Sequence, residues 1–298
     1  MRIGTRGSAL ALAQAGLVAE LLGGCEIVPF LTSGDRGAAA QDKSRWVLEL
    51  EDALQSAEID IAVHSAKDVP GELAEGLSLL GSPARASAED VLCGAGALDA
   101  LGVGARVATS SVRRLSQLRS AREDLEVVAI RGNVDTRLRK LAEGEFDAIV
   151  LARAGLERLD RESEVGAVLD PQSFVPAPGQ GALALEGRGG DARVEGAVRE
   201  INDAGTFACL LAERALARAL GASCNTPLGA WAVPDREGRM RMRAWVGLPD
   251  GSAWSSDELL GELSEPEALG HEVASRLKLA GAGEMLARAE EMARVASA

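Results

Sequence analysis

One local plan occurs twice in this chain, and it restricts the fold more than any other feature. Arg2-Ile3-Gly4-Thr5-Arg6-Gly7-Ser8 leads into a helical stretch from Ala9 to Leu22, and Arg106-Val107-Ala108-Thr109-Ser110-Ser111 leads into another from Val112 to Ala121. Each reads as a strand, a turn of small polar residues and a helix start. Between them the apolar strand Ile59 to Val63 ends in His64-Ser65-Ala66-Lys67-Asp68-Val69-Pro70, polar groups at the carboxyl end of a buried strand, where open α/β sheets keep their ligands. A strand from Leu125 to Ile130 follows, then a helix opened by Arg131 to Arg137 and running to Ala142, then a strand from Phe146 to Ala152. Strands alternating with helices predict βαβ units and two mainly parallel sheets. Pro171 to Gly181 reads as a crossing segment, and the short strand Ala182 to Glu186 after it is placed to return to the first sheet. A third, α+β unit begins near Asp203. It carries a helix from Ala208 to Leu220, alternating residues from Arg241 to Val246 and a last helix from about Pro266.

The two small polar turns present backbone N–H groups and hydroxyls at the positive end of a helix, a ready site for an anion. Serine and threonine also cap helices for structural reasons alone. The arginines in and beside both turns favour the anion. The formal net charge is −13, yet Arg106 to Lys140 holds nine basic residues against four acidic, whereas Asp250 to the end holds ten acidic against four basic. The basic island is nearly all arginine, the planar fork that grips carboxylates and phosphates at two points. Its bland counterpart is compositional, since only four lysines occur in the whole chain. The acidic balance and an aromatic content of 3% disfavour a nucleic-acid partner.

Cys224 follows the third unit's first helix at a glycine stop, Gly221, and therefore sits on a loop. A loop thiol can be a nucleophile, a metal ligand, half of a disulfide or a small buried hydrophobe. The other cysteines, Cys25, Cys93 and Cys209, are far apart with no C-x-x-C pair, so no metal site is predicted and a reducing compartment is. Only His64 and His271 exist, which leaves little for a Cys-His hydrolase. Met1 to Gly24 resembles a secretory signal superficially, but Gln14 and Glu20 interrupt it and a strand, turn and helix fit better. No uncharged apolar run approaches the roughly 20 residues that cross a membrane. The expectation is a cytoplasmic protein with no membrane partner.

Six motifs in order carry a resemblance over essentially the whole length. They are Gly4-Thr5-Arg6-Gly7-Ser8-Ala9-Leu10-Ala11-Leu12, His64 to Pro70, Thr109-Ser110-Ser111-Val112-Arg113-Arg114, Arg131-Gly132-Asn133-Val134-Asp135-Thr136-Arg137-Leu138, Gly179-Gln180-Gly181-Ala182 and Cys224-Asn225-Thr226-Pro227-Leu228-Gly229. In these the chain resembles the porphobilinogen deaminases, also called hydroxymethylbilane synthases. The resemblance implies an α/β fold of two type II periplasmic-binding-protein-like lobes plus a small C-terminal α+β domain. Its expected divisions are residues 1–84 with 182–200, residues 85–181, and residues 201–298. It implies polymerisation of four porphobilinogen molecules head to tail, with loss of ammonia, to the linear tetrapyrrole hydroxymethylbilane, by a monomer.

By the same resemblance Cys224 holds a dipyrromethane cofactor through a thioether, a permanent primer. Arg6, Ser8, Lys43, Lys67, Thr109, Ser110, Ser111, Arg113, Arg114, Arg131, Arg137, Arg158 and Gln180 would bind cofactor and substrate between the lobes. Asp68 would be the catalytic acid and base, with Lys67 helping to keep it ionised. Every pyrrole unit brings an acetate and a propionate, so an arginine field in an otherwise acidic protein suits the growing chain. Two departures stand out: Asp35 to Trp46 is shorter than the family's glycine-rich loop, and Ala222-Ser223 stands where paired glycines are usual. The rival from another class is a two-lobed binding protein for an organic anion, which would have no use for an anchoring thiol or for Asp68 at the cleft.

Overall fold

The computed structural model describes residues 1–30, 45–223 and 225–297. In the first lobe, β1 (Arg2–Arg6), α1 (Ala9–Leu21), β2 (Glu26–Phe30), α2 (Arg45–Gln55), β3 (Ile61–Ser65) and β4 (Leu77–Gly81) follow in order. The chain then passes to the second lobe through β5 (Asp90–Cys93), β6 (Arg106–Ala108), α3 (Val112–Ala121), β7 (Glu126–Val128), α4 (Val134–Ala142), β8 (Ala148–Ala152), α5 (Arg153–Glu157) and β9 (Ala167–Val168). It returns as β10 (Leu183–Arg188), which inserts antiparallel between β3 and β4 and is followed by α6 (Ala192–Ile201). The sheet orders are β2-β1-β3-β10-β4 and β7-β6-β8-β5-β9, and in each the first three strands are parallel. The return strand deduced from the sequence does rejoin the first sheet.

The third unit is a helix-backed meander. α7 (Ala204–Ala219), the antiparallel strands β11 (Leu228–Pro234), β12 (Arg239–Gly247) and β13 (Trp254–Glu262), then α8 (Pro266–Leu279) and α9 (Ala282–Ser297) enclose a core that includes Leu216, Met240, Met242, Val246 and Val273. On β12, Met240, Met242 and Ala244 face that core because side chains alternate across a strand. This is the α/β architecture expected, two lobes and a small α+β domain.

Several element bounds differ from the sequence reading. The strand expected over Leu125 to Ile130 is paired only at Glu126–Val128, and the helix after it begins at Val134 rather than Arg131, with the Asn133 side chain accepting from Thr136 N at 2.9 Å. The helix expected from Ala208 starts four residues earlier because the Asp203 carboxylate caps it, accepting from Thr206 N at 2.6 Å. Its end is as expected. Gly221 has φ +64°, and Gly221 N and Ala222 N bond to Arg218 O and Ala217 O, both at 2.9 Å, the paired closure of a left-handed cap.

Candidate active site at the junction of the lobes

The last residue of β3, Ser65, opens a single 3₁₀ turn, Ala66–Asp68, that carries Lys67 and Asp68 out of the first sheet. This turn is held from every side. Ala66 N donates to Ala182 O at 3.0 Å, and Ser65 Oγ bonds the Gln14 amide of α1 at 2.8 Å. Beneath it His64 Nε2 lies 2.8 Å from Glu186 Oε2, both buried. Gly179, at φ +74°, presses against the turn so closely that a Cβ would come within 2.9 Å of the Ala66 carbonyl carbon, so only glycine fits. From α7, Arg214 donates to Val69 O, Pro70 O (2.7 Å) and Gly71 O (3.0 Å). Burial, with Arg218 nearby, pushes the Arg214 guanidinium down to about 10. Asp68 is half-buried and lines a pocket with Arg6, Ser8, Gln14 and Ser65.

The hydroxyls of the two turns act locally. Ser8 and Ser111 are N-caps, accepting from Ala11 N and Arg114 N, and Thr109 Oγ1 accepts from Ser111 N at 3.2 Å. Ser110 Oγ donates to Ile130 O, joining this turn to the start of the Arg131 segment. Ser110 and Arg131 are exposed, and Arg137 is half-buried with Nε on Gly132 O at 2.9 Å. Burial pushes the Arg137 guanidinium down, and the like charge of Arg114 adds to it. Arg158, also pushed down by burial, donates to Gly181 O at 2.7 Å.

Arg113 and Arg114 are buried rather than laid open to the cleft. Both pair with Asp90 at the head of β5, through Arg113 Nη2 to Oδ2 at 2.7 Å and Arg114 Nη2 to Oδ1 at 2.6 Å. Arg113 also donates to Val175 O at 2.7 Å and Arg114 to Val150 O at 2.9 Å. Burial opposes ionisation of Asp90, but the two guanidiniums outweigh it and hold the carboxyl far below the usual range. Gln180 has its amide nitrogen on Asp90 Oδ1 (2.9 Å) and Ala88 O (2.7 Å), and its oxygen accepts from Lys67 Nζ at 3.2 Å. Asp90 was not singled out in the sequence. Its one signal is an acid at the head of an apolar run, Val91-Leu92-Cys93.

The third domain joins both lobes near this point. Glu213 of α7, fully buried, accepts from Arg85 Nη1 at 2.6 Å, Gly179 N at 2.5 Å and Ala232 N at 2.7 Å. On the other side, Ser116 Oγ donates to Leu248 O and Arg119 Nη1 to Pro249 O at 3.2 Å, tying α3 to the β12–β13 hairpin. Glu213→Ala is expected to cost about 3–5 kcal/mol, the usual penalty for leaving one partner of a buried ion pair uncompensated. Urea unfolding of the two proteins measures it, and a loss under about 1 kcal/mol would mean this junction contributes little.

The comparisons with known proteins bear on this geometry. A family model described as porphobilinogen deaminase, dipyromethane cofactor binding domain, matches residues 1–196, and one described as porphobilinogen deaminase, C-terminal domain, matches residues 207–279. The chain belongs to the porphobilinogen deaminase family. Relatives carrying that name include one from Thermus thermophilus, 45% identical over 96% of this chain and 98% of the relative. Another, from Brevibacillus brevis, is 40% identical over 96% of each. Among solved structures, immunogenic lipoprotein A from Vibrio vulnificus aligns with a TM-score of 0.42 at 13% identity, over 67% of this chain and 94% of that one. The methionine binding protein MetQ aligns with a TM-score of 0.42 at 12% identity, over 67% and 87%. The family's activity, polymerisation of porphobilinogen to hydroxymethylbilane on a dipyrromethane cofactor, is the activity of this chain.

The residues present fit that cofactor. Two pyrrole units bring four carboxylates, and among the described residues Arg137 donates to a backbone carbonyl and Arg158, although it feels the charge of Glu157, donates to Gly181 O rather than to a carboxylate. Arg113 Nε is buried and has no hydrogen-bond partner among the described residues. Fixed donors of this kind suit anions. Lys43 and Cys224 lie outside the described residues, as does the shortened segment Asp35 to Trp46 as far as Ser44.

Proposed function

We propose that Asp68 is the acid–base residue of the polymerisation, that the cleft where the lobes meet binds the pyrrole carboxylates, and that Cys224 carries the primer as a thioether. The observation that carries this reading is the convergence on the crossing segment. Lys67, beside Asp68, reaches Gln180; Gln180 reaches Asp90 and with it Arg113 and Arg114; Arg158 reaches the next residue, Gly181. An acid and a field of cations drawn from two sheets are what joining polycarboxylate pyrroles requires.

When bound, the primer supplies the nucleophilic ring carbon to which each unit is joined. The chain's own residues do the rest. The arginines and the hydroxyl turns hold the acetate and propionate groups and fix the incoming ring. As the substrate's carbon–nitrogen bond breaks, its electron pair leaves with ammonia, and the ionised Asp68 carboxylate stabilises the cation left on the pyrrole. Once the new carbon–carbon bond has formed, Asp68 accepts the ring proton and releases it to solvent, returning to its starting state. Lys67 favours the ionised form of Asp68. The same reading takes the three units as domains at residues 1–84 with 182–200, 85–181 and 201–298. It takes the protein as a cytoplasmic monomer without a nucleic-acid partner. Among the described residues no helix is long and apolar enough to cross a membrane.

Arg137→Met tests the binding half of this assignment. Losing one charge-assisted carboxylate contact, about 1.5–3 kcal/mol, is expected to raise KM for porphobilinogen roughly 10- to 100-fold with a smaller change in kcat. An unchanged KM would remove Arg137 from the substrate-binding set.

A further inference from the structure

We propose that Asp90 is a positioning residue of this enzyme. It fixes Arg113 and Arg114 as one pair and, through Gln180, couples that pair to Lys67 beside Asp68. The inference rests on the site reading above and goes beyond it by assigning work to a carboxylate that touches no ligand.

Four observations carry it. First, the chain of contacts is continuous and crosses between the lobes, from Lys67 Nζ to Gln180 Oε1 (3.2 Å), from Gln180 Nε2 to Asp90 Oδ1 (2.9 Å), and from that same oxygen to Arg114 Nε (2.9 Å) and Nη2 (2.6 Å). Second, its middle is closed to solvent, with Asp90 0% and Gln180 1% exposed. Every hydrogen bond there is therefore made inside a low-dielectric medium, where geometry is enforced strongly. Third, Gln180 has opposite ends on opposite partners. Its oxygen faces a cation and its nitrogen faces an anion and the Ala88 carbonyl, so flipping the amide would leave all three contacts repulsive.

The fourth is the charge balance. Two guanidiniums on one carboxylate leave a net positive charge in a buried place, with Arg113 Nε still lacking a hydrogen-bond partner among the described residues. A buried ionic triad is often no more stable than an apolar set of the same volume. A surplus positive charge with a spare donor makes sense where an anion completes it. Asp90 then has two effects: it lets adjacent arginines at the start of α3 coexist, and it leaves one unit of charge for a pyrrole carboxylate. Through Gln180 it also fixes the direction in which the Lys67 side chain leaves the turn it shares with Asp68.

The test is a set of double-mutant cycles on the full-length enzyme, using kcat and KM with porphobilinogen. Further readouts are the fraction of apoprotein that gains the mass of two pyrrole units after incubation with porphobilinogen, and the thermal midpoint. Asp90→Asn and Lys67→Met are combined first. Coupling through Gln180 predicts that their joint loss in kcat/KM is about tenfold smaller than the product of the single losses, and that this non-additivity disappears when Gln180→Met is present. Cofactor acquisition by Asp90→Asn should slow in parallel.

Should Asp90→Asn fail to fold, Asp90→Glu replaces it in the same cycle with Lys67→Met, because it keeps the charge between both arginines and displaces it by one methylene from Gln180. The same non-additivity is expected. Additive losses, or a lowered thermal midpoint with kcat, KM and cofactor acquisition unchanged, would reduce Asp90 to a structural residue and overturn the proposal. Wild-type enzyme that never consumes porphobilinogen would remove the site reading and this inference together, whereas turnover with additive losses removes only the inference.

Discussion

Asp68→Ala is expected to lower kcat about 10³-fold while KM for porphobilinogen changes little. Two contributions set the size. A carboxylate that stabilises charge where it develops, and the same group acting in proton transfer, each account for about 10²-fold or more in enzymes where they have been removed singly. They reside in one side chain here, so the losses overlap and do not simply multiply. The fold should tolerate the change. Asp68 is half-buried at the end of a 3₁₀ turn, and bonds made by the turn's backbone, by Ser65 and by Arg214 on the carbonyls of Val69, Pro70 and Gly71 all remain in the variant. Single-turnover measurement of ammonia release separates the outcomes. A slow burst with normal binding supports the assignment, and wild-type turnover would take Asp68 out of the mechanism.

Asp68→Glu sharpens the experiment. The added methylene keeps the charge but moves it within a turn confined by Gly179 on one side. Partial activity would show that the charge matters and that its position matters too. Equal loss in Glu and Ala would point to geometry alone.

How far the sequence revealed this depends on the range of the contact concerned. Elements governed by local rules were legible. Ser111 caps α3, which spans Val112–Ala121 as expected, and Gly221 ends α7 with φ +64°. The return of β10 to the first sheet was legible too, because a buried strand after a proline-rich crossing has few other places to go. Contacts between distant residues were not. Glu213 and Arg214 lie among Leu210, Leu211 and Leu216 in a pattern that suggests a solvated face, yet both are buried. Their side of the helix is covered by the lobes, and helical periodicity records only that two faces differ, not what lies against the polar one. Asp90 was missed for the same reason: its partners are Arg113, Arg114 and Gln180, and no spacing rule links them.

The arginines illustrate a second limit. Composition marked an island of nine cations, and the family resemblance gave four of them, Arg113, Arg114, Arg131 and Arg137, to the ligand. The geometry divides them: Arg131 is exposed, Arg137 half-buried, and Arg113 and Arg114 are already held by a carboxylate of the protein. A guanidinium looks the same in sequence whether it stands open to solvent or is first fixed by a carboxylate of its own chain. Burial decides between the two, and burial is set by the tertiary fold.

Cys224→Ser is expected to abolish the covalent cofactor and with it essentially all turnover. The reasoning is chemical. A thioether to a pyrrole methylene needs a sulfur nucleophile, and a serine hydroxyl at neutral pH is a far weaker one without an activating base. No histidine stands near position 224 in the sequence, where Gly221 to Gly229 holds none; His64 and His271 are the chain's only histidines, and His64 is buried against Glu186. Of the described cysteines, Cys93 and Cys209 are buried, and burial pushes their thiols up to about 11 and about 12, so neither offers a thiolate in place of Cys224. Cys25 is partly exposed but lies just before β2, at the edge of the first sheet. Intact mass under denaturing conditions, followed by peptide mapping, reads the result directly. Wild-type chain should carry two linked pyrrole units on the peptide containing Cys224, and Cys224→Ser should carry none while keeping the wild-type thermal unfolding of its cofactor-free form. An adduct that persists in the variant would move the anchor to another residue, with Cys25 the first to map.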